Sequence, residues 1–167
     1  MTKSPCPKFS ISVALPNDLP TIEELICELA EYEKLTNQLD IDSEALAYWL
    51  FEKKTAEVLL IKTDIPIGFV LFFYNFSTFL GKSGIYIEDF YIKPEYRNLG
   101  IGTKVLKQVA AIAKERNCGR VEWSCLDWNT PSILFYKKMG AIPLDDWTIF
   151  RLTKDVINNL SKNIPDE

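Results

Sequence analysis

The sequence predicts an α/β fold in which an antiparallel hairpin region comes first and strand–helix crossovers follow. Three observations predict it. An alternating apolar segment opens the chain, strand-like segments fill the middle, and beyond residue 93 helical and strand patterns take turns. The order along the 167 residues is β-α-α-β-β-β-α-β-α-β.

Each element has its own signal. Residues 1–8 carry Pro5 and Pro7 without periodicity and read as a flexible tail ahead of a single domain over 9–167. Phe9 to Leu15 alternates apolar and polar side chains, the pattern of a half-buried strand. Asn17-Asp18-Leu19-Pro20 opens a helix, with acids at Glu23 and Glu24 and an apolar stripe of Ile22, Leu25, Ile26 and Leu29. A second short helix follows Ser43 and carries Leu46, Trp49 and Leu50. Val58–Ile61, a turn over 63–66 and Ile67–Phe76 form a hairpin, and a further strand runs from Ile85 to Ile92. The helix after the 93–100 loop places Ile101, Val105, Leu106, Val109 and Ile112 on one face. A strand at Arg120–Cys125 follows, then a helix capped at Asn129 or Thr130, started by Pro131 and stopped at Gly140. A last strand at Thr148–Leu152 and a short amphipathic helix close the chain.

Composition excludes whole classes of chemistry. There is no histidine, and the four cysteines (Cys6, Cys27, Cys118, Cys125) form no C-x-x-C pair. That removes most zinc sites, every Ser-His or Cys-His nucleophile and any histidine base, so no metal is expected. Scattered thiols suit a reducing compartment. No apolar run approaches the ~20 residues of a membrane span, and the N-terminus has no secretory pattern, so the chain reads as cytoplasmic, with no membrane partner. A net charge of −4 argues against nucleic acid and is compatible with a cationic substrate, although mild acidity also serves solubility alone.

The chemistry concentrates in Glu88-Asp89-Phe90-Tyr91-Ile92, where a strand ends, and in Arg97-Asn98-Leu99-Gly100-Ile101-Gly102-Thr103, where a glycine-rich loop enters a helix. Backbone N–H groups at a helix start make an anion cradle, and glycines let a phosphate approach the main chain. The P-loop pattern G-x-x-x-x-G-K-[ST] is absent. The dinucleotide pattern G-x-G-x-x-G is only imitated, because Val105 stands at its third glycine, although Glu122 lies twenty residues beyond Gly102.

Arg97-x-x-Gly100-x-Gly102 resembles the acetyl-CoA signature [QR]-x-x-G-x-[GA] of the GNAT superfamily of N-acetyltransferases. The run from Asn129 to Gly140 resembles the family's second hallmark, N-x-x-[SA]-x-x-[FL]-Y-x-x-x-G. Leu29–Leu35, Tyr86–Phe90 and Asp127–Asn129 narrow the resemblance to the branch that acetylates diamines (spermidine and spermine) and thialysine. It extends over about residues 9–160 and departs twice. The segment before the hairpin is shorter than in vertebrate diamine enzymes, lacking their D-G-F-G turn, and the segment at Leu144–Trp147 is about two residues shorter. The resemblance implies the GNAT fold, with a central mixed, mostly antiparallel sheet flanked by helices, acetyl-CoA as cofactor, a small-molecule amine acceptor and a homodimer.

It also implies roles by residue. An attacking amine has a pKa near 10.4 and must lose a proton, so a base, an acid for the thiolate and carbonyl donors are needed. Tyr136 matches the family acid, while the spacing of Ile133, Phe135, Tyr136 and Met139 also suits a core tyrosine. Glu88 matches the water-mediated base, and a solvent-facing strand acid is the plainer reading. Tyr32, Glu33, Glu28, Glu88, Asp89 and Asp146 are candidates for the acceptor site, although acids on an exposed helix face are commonplace. Main-chain groups of Phe90, Tyr91 and Ile92 would hold pantetheine as an added strand, Arg97 to Thr103 the pyrophosphate, and Asn129 and Ser132 further parts of the cofactor. Direct attack in a ternary complex would follow. Glu33-Lys34-Leu35 leans toward thialysine or a lysine-like amino acid over polyamines. A peptide or protein amine is the alternative acceptor, and a non-catalytic acyl-CoA sensor is the alternative class; the presence of both Tyr136 and Glu88 speaks against the sensor.

Overall fold

A computed structural model describes residues 7–162, so residues 1–6 of the expected tail lie outside the described residues. The chain divides into two compact units, Met1–Leu126 and Asp127–Glu167.

The first unit is a five-stranded sheet in the order β1-β2-β3-β4-β5 with three helices. β1 (Ser10–Val13), β2 (Glu57–Lys62), β3 (Pro66–Ser77) and β4 (Lys82–Ile92) are antiparallel neighbours, and β5 (Val121–Trp123) joins β4 in parallel. Period-2 alternation divides the sheet's side chains between two faces. On one face Val58, Leu60, Phe69, Leu71 and Tyr91 pack with Ile22, Leu25 and Leu29 of α1 (Leu19–Glu33) and with Leu50. Leu50 follows α2 (Ser43–Ala47), which Asp42 caps by accepting from Glu44 and Ala45 N–H at 3.0 and 3.1 Å and which continues into a π-helical turn, Tyr48–Glu52. α3 (Ile101–Glu115) buries Ile101, Val105 and Val109. Arg116 just after it lies 5.9 Å from the Phe72 ring, which places the end of α3 on the opposite face.

Two local features shape the region that matters. α1 stops at Lys34, held left-handed at φ 60°, with Leu35 N–H bonding to the Ala30 carbonyl at 2.9 Å, so Tyr32 and Glu33 stand on its last turn. In β4 the register shifts: Leu71 faces Asp89 but Phe72 faces Ile87, leaving Glu88 as an extra residue with no opposite number. That β-bulge interrupts strict alternation at the very pair Glu88–Asp89.

In the second unit, Asn129 Oδ1 accepts from Ser132 N–H at 3.4 Å and caps α4 (Thr130–Lys138). Gly140, left-handed at φ 91°, ends it, with Ala141 N–H bonding to the Tyr136 carbonyl at 3.0 Å. α5 (Lys154–Ser161) is the expected closing helix. The expected strand at Thr148–Leu152 does not form: among the described residues these pair with no strand. Trp147, Ile149, Phe150 and Leu152 have strand-forming side chains, but a strand exists only where a ladder partner is offered, and Ile149-Phe150 breaks the alternation that would define a buried face. The sheet therefore has five strands, with the mixed, mostly antiparallel character expected.

Candidate active site

The pairing of β4 with β5 ends where the sequence concentrates its chemistry. β5 pairs with β4 only over Ile85, Tyr86 and Ile87, whereas β3 follows β4 to Ile92. Lys93 N–H bonds to the Ile67 carbonyl at 2.9 Å, and bonding alternates along an antiparallel ladder, so the main chain of Tyr91 is turned to β3. The peptide groups of Phe90 and Ile92 point to the other edge. Gly68 is what lets β3 approach so closely: a Cβ there would stand 2.3 Å from the Tyr91 carbonyl oxygen.

Next to this edge α3 begins. Its first helical bond is Lys104 N–H to the Gly100 carbonyl at 3.3 Å, so the N–H groups of Ile101, Gly102 and Thr103 precede the ladder and point outward. Gly100 holds φ 84°, and a Cβ built on it would meet nothing within 4 Å. Open space over unbonded N–H groups at the positive end of a 15-residue helix fits a pyrophosphate. Asn98 is also left-handed, at φ 61°, which turns the loop into the helix. The fit of CoA therefore rests on the cradle of Gly100 to Thr103, which opens beside the stretch of β4 that β5 does not follow.

Arg97 takes a position its motif does not announce. Its Nε donates to the Ile92 carbonyl at 2.7 Å, and its guanidinium lies 4.1 Å from the centre of the Tyr32 ring and 5.6 Å from that of Tyr91. It thus ties the last turn of α1 to the end of β4. Glu28, one turn before Tyr32, is also engaged: Lys93 Nζ donates to Oε1 at 2.7 Å and the Tyr91 hydroxyl to Oε2 at 3.2 Å. Burial and the Glu28 carboxylate push the Tyr91 phenol up to about 12, and the Glu28 bond raises the Lys93 ammonium. Lys93 and the hydroxyl of Tyr91 were not signalled by the sequence, because nothing in a loop lysine's neighbours names a partner 65 positions away.

Glu33, Glu88 and Asp89 form the acidic centre. Burial raises the Glu33 carboxyl. Asp89 is pushed up to about 7, first by burial and then by the charges of Glu88 and Glu33. Glu88 itself, on the bulge, is exposed. One half-buried carboxyl that gains a proton near neutrality beside an exposed one is an arrangement that can attract a cation and take up a proton. The remaining candidates belong to the second unit: Asn129 at the cap and Ser132 and Tyr136 on α4, where the Phe135 and Tyr136 rings stand 5.3 Å apart, and Asp146 on the turn beyond it.

Comparisons with known proteins give the family of the chain. The sequence profile of the acetyltransferase (GNAT) family matches residues 19–141. A thialysine N-epsilon-acetyltransferase of Bos taurus is 37% identical, the match covering 90% of this chain and 96% of the relative. An L-ornithine N5-acetyltransferase of Arabidopsis thaliana is 32% identical, over 91% of this chain and 87% of the relative. An integron cassette protein from the mobile metagenome of V. cholerae has the same fold, with a TM-score of 0.76, 24% identity and coverage of 93% and 98% of the two chains.

Proposed function

Starting from the fact that the chain belongs to the acetyltransferase (GNAT) family and is an amine acetyltransferase, we propose that it acetylates the primary amine of a small cationic acceptor, thialysine or a lysine-like amino acid ahead of a polyamine, with acetyl-CoA as donor. The observation that carries the choice of acceptor is the carboxyl group of Glu33, Glu88 and Asp89 at the end of α1 and the bulge of β4. The charges of Glu88 and Glu33 disfavour ionisation of Asp89, and an incoming ammonium relieves that repulsion. The names of the thialysine and ornithine relatives support an amino acid carrying a terminal amine.

Acetyl-CoA, when bound, supplies the acetyl group as a thioester. Main-chain groups of Phe90 and Ile92 would hold its pantetheine arm, and the N–H groups of Ile101, Gly102 and Thr103 would hold its pyrophosphate. Asn129 and Ser132 complete the hold on the cofactor. Glu33 and Tyr32 orient the acceptor, and Asp146 contributes from the turn after α4. Glu88 takes the proton of the ammonium through water, leaving a lone pair for direct attack within a ternary complex. Tyr136 keeps a proton on its hydroxyl for the departing thiolate. Both units then serve one catalytic domain, which the family match across 19–141 supports, and the protein acts as a homodimer.

Asp89 gives a second reading for the base, since a carboxyl at about 7 is better matched to proton transfer at neutral pH than an ordinary acid. The test is a CoA-release assay against thialysine, lysine, ornithine, putrescine, spermidine and several peptides. Turnover should be highest on the amino acids. A purely peptide-directed activity overturns the acceptor, and acetyl-CoA binding without turnover on any amine overturns catalysis. With the best acceptor, Glu88→Gln should lower kcat/KM by about 10²-fold or more and remove the acidic limb of its pH profile. If only Asp89→Asn removes that limb, Asp89 is the base.

A further inference from the structure

Beyond the cluster of Glu33, Glu88 and Asp89, a second charged group stands on the face of the sheet that α1 covers. Leu71 lies opposite Asp89 and Phe69 opposite Tyr91, and directly opposed residues of an antiparallel pair share a face. Phe69, Leu71 and Tyr91 pack with Ile22, Leu25 and Leu29 of α1, so Asp89 belongs to that face. Lys93, two residues past Tyr91, reaches α1 as well. Its Nζ donates to Glu28 Oε1 at 2.7 Å, and the Tyr91 hydroxyl donates to Oε2 at 3.2 Å, so both oxygens of Glu28 are engaged. The side chains of Lys93 and Glu28 remain 18% and 27% exposed, which leaves the pair open to a solute.

The surroundings of the pair are acidic. Glu24 and Glu95 act on the Lys93 ammonium in the same direction as Glu28, holding it charged. Lys93 therefore counters three carboxylates, and without it this end of the face would be a second anionic spot. Arg97 adds a further cation nearby, over the Tyr32 and Tyr91 rings. From Asp89 to Lys93 the chain advances four residues, about 13 Å at the rise of a strand. That distance is comparable with the reach of an extended triamine. A polyamine whose reacting amine sits at Asp89 would carry its far ammonium toward Glu28, where Lys93 already stands and repels it. An amino acid with one terminal amine is shorter, bears a carboxylate at its far end and needs no second acid.

We propose that Lys93 is a specificity-determining residue of the acceptor site: by occupying Glu28 it withholds a second anionic contact, so that the site takes an amino acid with a terminal amine and disfavours polyamines. The inference rests on the acceptor reading above and deepens it, assigning the discrimination between amines to a residue outside the carboxyl cluster.

Steady-state kinetics of the full chain with thialysine and with spermidine, at saturating acetyl-CoA, test it. The unsubstituted protein should show the higher kcat/KM on thialysine. In Lys93→Met the ratio of the two kcat/KM values should fall about tenfold, the lower end of what a hydrogen bond to a charged group contributes, and the change should lie in the KM for spermidine. Adding Glu28→Gln to Lys93→Met should restore the ratio, and Lys93→Arg should keep it. Lys93→Gln, which leaves a donor for Glu28 but no charge, should move the ratio in the same direction as Lys93→Met, a check should that variant lose stability. A pair that only holds α1 to the sheet would lower turnover on both amines alike. That result, an unchanged ratio in Lys93→Met and Lys93→Gln, overturns this inference and leaves the acceptor reading standing. Preference of the unsubstituted protein for spermidine, or turnover of neither amine, overturns the acceptor reading and this inference with it.

Discussion

Burial holds the Asp89 carboxyl at about 7, and the negative charges of Glu88 and Glu33 add to that effect. This has a consequence for stability whose sign can be worked out. The unfolded chain releases the proton around the ordinary value of 3.8, while the folded chain keeps it until about 7. Between those values the folded state binds more protons, so stability falls as pH rises through the window and stays low above it. At ~1.4 kcal/mol per unit the cost at pH 8 is at most about 4 kcal/mol. Asp89→Asn removes it, so the variant should melt at a higher temperature than the unsubstituted protein at pH 8 and at the same temperature near pH 4, by circular dichroism. Identical melting at pH 8 would sink the assignment of Asp89 as a half-buried carboxyl that holds its proton to about 7. In the function proposed above the same carboxyl belongs to the acidic cluster that receives the acceptor, so a bound ammonium would relieve this instability. Arg97 shows a different economy: its motif position predicts a charge for the cofactor, yet its Nε bonds Ile92 and its plane covers Tyr32. Through it, the glycine loop also holds the last turn of α1.

At the level of elements, two glycines separate stability from binding. Gly68 allows β3 to lie against the main chain of β4, with the Tyr91 carbonyl oxygen 2.3 Å from where a Cβ would be. A backbone atom cannot swing aside as a side chain can, so Gly68→Ala must push two central strands apart. We expect a loss of about 2 kcal/mol or more in urea denaturation, in the range of overpacked cores. Gly100→Ala should cost only about 1 kcal/mol, from the left-handed φ of 84°, because open space surrounds it. Its effect should instead appear in acetyl-CoA affinity, where the added methyl occupies the anion cradle. If Gly100→Ala binds acetyl-CoA as the unsubstituted protein does, the cradle is not where the pyrophosphate rests. The bulge at Glu88 belongs to this scale too. Simple alternation places Glu88 and Asp89 on opposite faces, and the extra residue is what disturbs that rule at the site.

For the molecule as a whole, a net charge of −4 and the cluster of Glu33, Glu88 and Asp89 should draw cations in. Raising the salt from ~0.05 to ~0.5 M shortens the screening length from above 10 Å to a few ångströms. It should therefore lower kcat/KM for a dicationic acceptor several-fold while leaving kcat nearly unchanged. A salt-independent kcat/KM argues against a charge-steered acceptor. No helix among the described residues is long and apolar enough to cross a membrane. Much of this protein was legible in its one-dimensional pattern, because helix stripes, hairpin signals, caps and the glycine loop are local, and their spacing follows from 3.6- and 2-residue periods. The sequence by itself determined α1, the β2–β4 region, α3 opening at Gly100 and α4 ending at Gly140, together with the residue types gathered for amine acetylation. Only the tertiary structure decided that Glu28 is claimed by Lys93, that Arg97 lies on Tyr32, that Asp89 holds its proton near neutrality, and that Thr148–Leu152 forms no strand. Those outcomes depend on burial, on a register shift and on partners far away in the chain, quantities that exist only once separate segments meet.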